Sequence, residues 1–499
     1  MRALPCCLIT AAVFALPACD KEPDTLSPAS TETAPTVASF VTSEPAQARL
    51  LVPQGTITPI ISVGDPIPGQ ESNPDPEQRV WAPIPDGLGA FAEGSSLVLF
   101  ANHEISNTGV DGKFPFARVS RLVLDPATLS VTGGSYAITA KAAGFLFQRL
   151  CSASFAPDLG AGWFLTGEES TSGGAEGIQV AVSHDGSETR KLPGLGRFAH
   201  ENYITVPGVP GKVVLLGTDD MSPQAFGTSL RSELYMYVAD DAAGVLGGTG
   251  DLYVFVSSAQ PNAGSLTPGA PITGHFVEVP DAGSLSATDL QTAVDGLGAF
   301  KFVRLEDLDY SRHPGLPGSK PSIYFVDTGN INARCGSQPC DLFGSIYRID
   351  LDAANPTENA RLVLLARSRG VAAGDWASPD NIAVSGKSLM LQEDPAYAEF
   401  NRPERIWNFK FREDGNLGRA RAVVELETEK FTGTVCVEAA GTCWESSGII
   451  DASSAFGPGW FLLDVQAHGY ELETAPSPFP GITYMREAGQ LLLLKVPGA

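Results

Sequence analysis

The sequence predicts an all-β fold of the β-propeller type, and three observations carry that reading. Short apolar runs of strand length recur along the chain, among them Ser96-Leu-Val-Leu-Phe100, Lys212-Val-Val-Leu-Leu216, Asp251-Leu-Tyr-Val-Phe-Val256 and Ser322-Ile-Tyr-Phe-Val326. They are rich in aromatic and branched residues, which suit a pleated surface. Gly (53) and Pro (38) punctuate the 499 residues, and long helical periodicities are scarce. Two fragments return: Asp86-Gly-Leu-Gly-Ala-Phe91 again at 295–300, and Gly-Trp-Phe-Leu at 162 and at 459. Many short strands without alternating helices favour stacked blades over a sandwich or a parallel sheet. Loops around a central channel then bring distant positions together.

The first elements precede the strands. Residues 1–19 read as an export signal: Arg2, an apolar run from Cys7 to Leu16, then Leu16-Pro17-Ala18-Cys19. That ending resembles a bacterial lipobox, in which Cys19 becomes the lipidated N-terminus. The run is too short to span a bilayer. Residues 20–50 are rich in Pro, Thr, Ser, Ala and Glu and read as a flexible tether. Residues 51–499 then form a single propeller domain with inserted loops. These features place the protein in a bacterial cell envelope, lipid-anchored and facing the periplasm or the exterior.

Formal net charge is −24, from 57 acidic and 33 basic residues. Nucleic-acid binding needs clustered cations, so that balance argues against it. It suits binding of several hard cations through carboxylates, and it also suits an ordinary acidic surface. Beyond Cys6, Cys7 and Cys19, two cysteine pairs each close a short loop: Cys335 with Cys340, and Cys436 with Cys443. An oxidising compartment favours both disulfides. Cys151 is left over. A lone thiol in an exported protein is a reactive group, a metal ligand or a small buried apolar residue.

Acidic residues gather at the ends of the strand-like runs. Asn102-His-Glu104, Glu168-Glu169, His200-Glu201, Asp219-Asp220, Asp380-Asn381 and Glu393-Asp394 all sit there. Paired carboxylates repel unless a cation or a proton joins them. The joint set therefore points to bound cations; oxygens suit calcium or magnesium, and a thiolate with a trivalent charge suits iron. Arg304 lies in Phe302-Val-Arg-Leu-Glu-Asp-Leu308. Residue type alone allows it to clamp a phosphate or to pair with Glu306 or Asp307.

The order of these motifs resembles that of the PhoX alkaline phosphatases. The resemblance runs from Asp86-Gly-Leu-Gly through Asn102-His-Glu104, Cys151, Thr166-Gly-Glu-Glu169 and Gly196-Arg-Phe-Ala-His-Glu201. It continues with Gly217-Thr-Asp-Asp220, Arg304-Leu-Glu-Asp307, Gly344-Ser-Ile-Tyr-Arg348, Ser378-Pro-Asp-Asn381, Gln392-Glu-Asp394 and Val465-Gln-Ala-His468. It implies a six-bladed propeller whose centre holds iron and calcium and hydrolyses phosphate monoesters. By motif position Cys151 would be an iron ligand. Glu104, Glu168, Glu169, His200, Glu201, Asp219, Asp220, Asp380 and Glu393 complete the candidate metal set. Arg304 matches the family's substrate-contacting arginine and Glu306 its neighbouring carboxylate. The implied partners are small phosphorylated substrates, with the membrane touched only through the lipid anchor, no nucleic acid, and a monomeric chain. Two other readings fit the same residues: a non-catalytic, calcium-stabilised propeller binding a partner or glycan at the cell surface, and another propeller hydrolase, a phosphodiesterase or lactonase.

Overall fold

The computed structural model describes residues 37–110, 114–139, 144–222, 230–311, 321–335, 338–395, 400–437, 441–470 and 487–499. Export signal, lipobox and Cys19 lie outside the described residues, as does the tether up to residue 36. The folded body starts earlier than the expected residue 51. Phe40 bridges Val131, and strand Ala48–Leu50 pairs with strand Arg421–Leu426.

The described body is all-β and propeller-like, made of antiparallel sheets. Strands Pro85–Glu93, Ser96–His103, Arg118–Asp125 and Ser130–Ile138 form one sheet in that order. Leu150–Ala156, Trp163–Glu168, Gln179–Ser183 and Thr189–Lys191 form the next. A later sheet runs Pro379–Ser385, Ser388–Glu393, Arg405–Lys410, Arg421–Leu426 and Ala48–Leu50. Another joins Glu445–Asp451, Trp460–His468 and Glu487–Lys495 to the early strand Thr56–Ser62, so the two ends of the fold share a sheet. Between them lies a nine-stranded sheet. One half holds His200–Thr205, Val213–Asp219, Leu234–Ala239 and Asp251–Val256. The other holds Leu305–Tyr310, Ser322–Asp327, Ser345–Asp350 and Ala360–Arg367, and strand Pro271–Glu278 pairs with an edge of each half. That shared strand keeps the blade count from following directly from the sheets.

The apolar runs are explained by where they pack. The second strands of the sheets are buried on both faces, so neighbouring residues of one strand serve different cores. Leu97, Leu99 and Ala101 pack towards Leu462, Leu491 and Leu493. Val98 and Phe100 turn the other way, to Phe164, Val180 and Val182. Burying one such side chain contributes roughly 1.5–3 kcal/mol. The same pattern continues from Leu165 to Leu215, from Leu216 to Phe325, from Val326 to Leu389, and from Met390 to Leu463. The cores therefore lie between successive sheets.

The innermost strands enclose the channel. Pro85–Glu93 packs on Leu150–Ala156, that strand on His200–Thr205, and so on through Leu305–Tyr310, Pro379–Ser385 and Glu445–Asp451 back to the first. All of them carry a register shift near the start, at Pro85/Leu88, Leu150/Ala153, His200/Tyr203, Leu305/Leu308, Pro379/Ile382 and Ser447/Ile450. An extra residue of this kind bends a strand and re-aims its side chains. Both expected disulfides form, Cys335–Cys340 and Cys436–Cys443, and Cys151 is a free, buried cysteine.

Candidate metal centre

The bulges build the centre. The second residue of five of them is Asp86, Cys151, Glu201, Glu306 or Asp380, all buried. Just before each strand the chain passes through a strained left-handed residue in four cases: Ile84, Arg149, Arg304 and Ser378. Non-glycine residues there cost energy that packing must offset, and such positions cluster at functional sites. From the ends of the second strands come Glu104, Glu169 and Asp220, each one residue past the last paired position.

Three linked groups result. Ligand atoms of Asp86, Glu104 and Cys151 lie within 4.8 Å of one another, as do those of Cys151, Glu169 and Glu201, and those of Glu201, Glu306 and Asp380. Cys151 and Glu201 belong to two groups each and join them; Cys151 Sγ lies 3.7 Å from Glu201 Oε1. Among the described residues, few cations face this array. Arg149 donates to Glu104 and to Glu169, each at 2.7 Å. Arg304 donates to Asp220 at 2.9 Å and lies 3.3 Å from Glu306. Its Nε is buried with no hydrogen-bond partner among the described residues.

A floor of amides and hydroxyls fixes the array. Asn381 Nδ2 donates to Ser152 Oγ at 2.5 Å, and Ser152 donates to Glu201. Asn381 Oδ1 accepts from Ser447 Oγ at 3.1 Å and from Gly448 N at 2.9 Å. Ser447 in turn lies 2.8 Å from Asp86 Oδ1. Asn102 donates to the Cys151 carbonyl, and Thr328 to Glu306.

Burial pushes the carboxyls of Asp86, Glu201, Glu306 and Asp380 well above the usual range, and neighbouring carboxylates push them further. Burial also raises the Cys151 thiol, with Asp86 and Glu201 adding to it. Glu104 is partly buried, but Arg149 outweighs that burial and holds it low. Such an array is stable only with protons or cations inside it. Glu201 Oε2 and Asp220 Oδ1 are buried and lack hydrogen-bond partners among the described residues. Oxygen donors beside one thiol fit calcium and iron.

Four predicted ligands are not brought to this centre. Glu168 accepts from the backbone of Gln148 at 3.0 Å and Glu176 at 2.9 Å. Glu393 accepts from Ala377 N at 3.0 Å and from Arg402 at 2.7 Å. His200 lies on the Phe198 ring, 3.8 Å between centroids, and contacts the Gly196 carbonyl. Asp219 accepts from Met221 N and abuts Glu233. Strand alternation is the cause: adjacent residues point to opposite faces, so only one of each doublet reaches the channel. Asp86, Arg149, Asp394 and the Asn381 floor were missed as site residues. Asp394 is the channel-side member of the doublet with Glu393, and its carboxyl is raised to about 8, by burial first and Glu445 next. A remaining acid–cysteine group, Glu404 with Cys436 and Cys443, contains bonded cysteines and offers no thiolate.

Fold and centre together define a propeller-like protein with a buried acidic core suited to cations. The sequence profile described as "Alkaline phosphatase PhoX" matches residues 178–448, more than half of the chain, and the protein belongs to that family. Among solved structures, Pseudomonas fluorescens PhoX in complex with vanadate, a transition state analogue, superposes with a TM-score of 0.63 at 14% identity, covering 92% of this chain and 97% of its own. That likeness shows the shared fold. Trypanosoma rangeli sialidase in complex with sialic acid gives a TM-score of 0.38 at 10% identity, over 90% of this chain and 60% of that one. A thermostable family-43 glycoside hydrolase gives 0.35 at 9%, over 83% and 93%. Comparison with curated protein sequences finds no match.

Proposed function

We propose that the protein hydrolyses phosphate monoesters at a cation centre held by Asp86, Glu104, Cys151, Glu169, Glu201, Glu306 and Asp380. The observation that carries this reading is the linked array of buried carboxylates and thiol, with ligand atoms within 4.8 Å in each group. Calcium suits its oxygens, and iron suits the part containing Cys151. Bound cations would supply neutralisation of phosphate oxygens and a water of lowered pKa.

The chain's own groups do the rest. Asp220 and Glu306 hold one end of the Arg304 guanidinium, leaving its buried Nε to donate to a phosphate oxygen. A donor fixed in place before the reaction stabilises charge as it develops at phosphorus. Glu306 acts as the orienting carboxylate for that arginine. Arg149 keeps Glu104 and Glu169 in place. The floor through Asn381 ties Glu201 to Asp86, so two remote strands move as one.

The closed ring of innermost strands supports a six-bladed count, with the nine-stranded sheet taken as two blades laced by Pro271–Glu278. A lipid on Cys19 would hold the monomeric enzyme at the cell envelope. The test is elemental analysis of the purified full chain followed by p-nitrophenyl phosphate turnover. Bound calcium and iron with chelator-sensitive hydrolysis is the expected result. A fully metal-loaded protein that leaves phosphate esters intact overturns the reading.

A further inference from the structure

At the far end of one sheet from the metal centre, the fold carries a cavity of opposite charge. Its volume is about 390 Å³, and its wall holds Lys410, Arg419, Arg421 and Gln54 without any Asp or Glu. Valines and prolines make most of the rest. That volume is within the range of small-molecule sites. Strand Pro379–Ser385 sets the separation. Its second residue is Asp380 of the centre, and it ends at Ser385, roughly 15 Å further on. Ser385 pairs with Ser388, Ser388 with Lys410, and Asn408 with Arg421. The cavity and the centre therefore lie at opposite ends of the sheet, and they share no residue.

Three cations on one cavity stand out in a chain of net charge −24. In the same sheet Arg49 and Arg405 are both taken up by Glu425. Among the described residues, the side chains of Lys410, Arg419 and Arg421 have no such partner. Burial pulls the Lys410 ammonium below the usual lysine range, the opposite of what a nearby carboxylate does. All three residues are exposed, so a ligand reaches them. Gln54 on the same wall has a left-handed backbone, φ 65°, a costly conformation that clusters at binding sites. Cations held together favour an anion between them. A carboxylate brings a single negative charge, whereas a phosphate monoester brings about two at pH 7. The guanidinium fork also matches phosphate oxygens in pairs. We infer that this cavity binds a phosphate group, carried by the free ion, a small ester or a lipid headgroup, at a site separate from the metal centre. The inference does not depend on the phosphatase reading.

The test is calorimetric titration of inorganic phosphate into the metal-loaded full chain, beside flotation with vesicles of phosphatidic acid in phosphatidylcholine. Arg419→Gln and Arg421→Gln each weaken one phosphate-binding event about tenfold, the scale of a hydrogen bond to a charged group. Together they remove that event and leave p-nitrophenyl phosphate turnover at the wild-type level. Arg304→Ala keeps the event that the two glutamine substitutions abolish. Should the metal centre take up no phosphate, wild type holds one equivalent and the double variant none, so failure of the phosphatase reading leaves this site measurable. Vesicle capture that needs both arginines assigns a lipid headgroup, and phosphate uptake without capture assigns a soluble ligand. A folded double variant that matches wild type in both phosphate uptake and vesicle capture overturns the inference.

Discussion

At the scale of single residues, the acidic doublets are the key to the site and to its misreading. A doublet in sequence is a pair on opposite faces of a strand. Glu169 meets Cys151 and Glu201, whereas Glu168 turns back and accepts two backbone N–H groups. Two substitutions separate these roles. Glu169→Gln should lower bound metal with little loss of stability, measured as ions per chain and by denaturant unfolding. Glu168→Ala should cost about 1–3 kcal/mol, because it strips two backbone donors, the buried Gln148 N–H among them, of their acceptor. Its metal content should stay near wild type; equal metal loss in both variants contradicts the assignment. Residue types made the centre legible: the isolated Cys151 and the carboxylates next to strand ends were the signal. The choice within each doublet was not legible, since it depends on where the strand stops pairing. Asp86 and the arginine before Leu150 were hidden for the same reason, because a left-handed turn and a bulge, not composition, aim them inward.

At the scale of elements, the repeated fragments behave in opposite ways. Gly-Trp-Phe-Leu opens strand Trp163–Glu168 and, 297 residues on, strand Trp460–His468, each second from the channel. Asp86-Gly-Leu-Gly-Ala-Phe91 lies in an innermost strand, but its copy at 295–300 ends helix Ala287–Leu297, with Gly298 as its left-handed cap. Tertiary surroundings override the local sequence there. The bulges are the elements that matter for function, and Gly87 shows why. A Cβ on Gly87 would fall on the backbone of Ala153, Cys151 and Ser152 in the adjoining strand. Backbone cannot move aside as a flexible side chain can. Gly87→Ala should therefore cost about 1–3 kcal/mol or more and reduce metal content together. Gly133→Ala, where a Cβ meets nothing within 4 Å, should change stability by about 0.5 kcal/mol or less. Calorimetric melting with metal analysis distinguishes the two. Equal behaviour of both variants would show that the close packing of Pro85–Glu93 on Leu150–Ala156 does not set the site.

At the scale of the whole molecule, the propeller-like body faces two opposing demands. Sheet-to-sheet cores hold it together, and a knot of like charges at the channel pushes it apart. Without cations, that repulsion is relieved by protons, since burial raises the carboxyls of Asp86, Glu201, Glu306 and Asp380 above their usual range. The sign follows from linkage. In the chelated folded protein these groups keep protons that the unfolded chain releases near pH 4, so stability must fall as pH rises from there. Cations reverse the dependence, because they favour the ionised form and bind more tightly as pH rises. Denaturant unfolding at pH 5.5 and pH 8 in chelator should show the weaker protein at pH 8. Calcium at a hundred times its Kd should add about 2.7 kcal/mol per occupied site at the higher pH. Its effect should shrink at pH 5.5, where protons compete for the same oxygens. A chelated protein that is equally stable at both pH values, and indifferent to calcium, would mean that these carboxylates do not share one electrostatic centre.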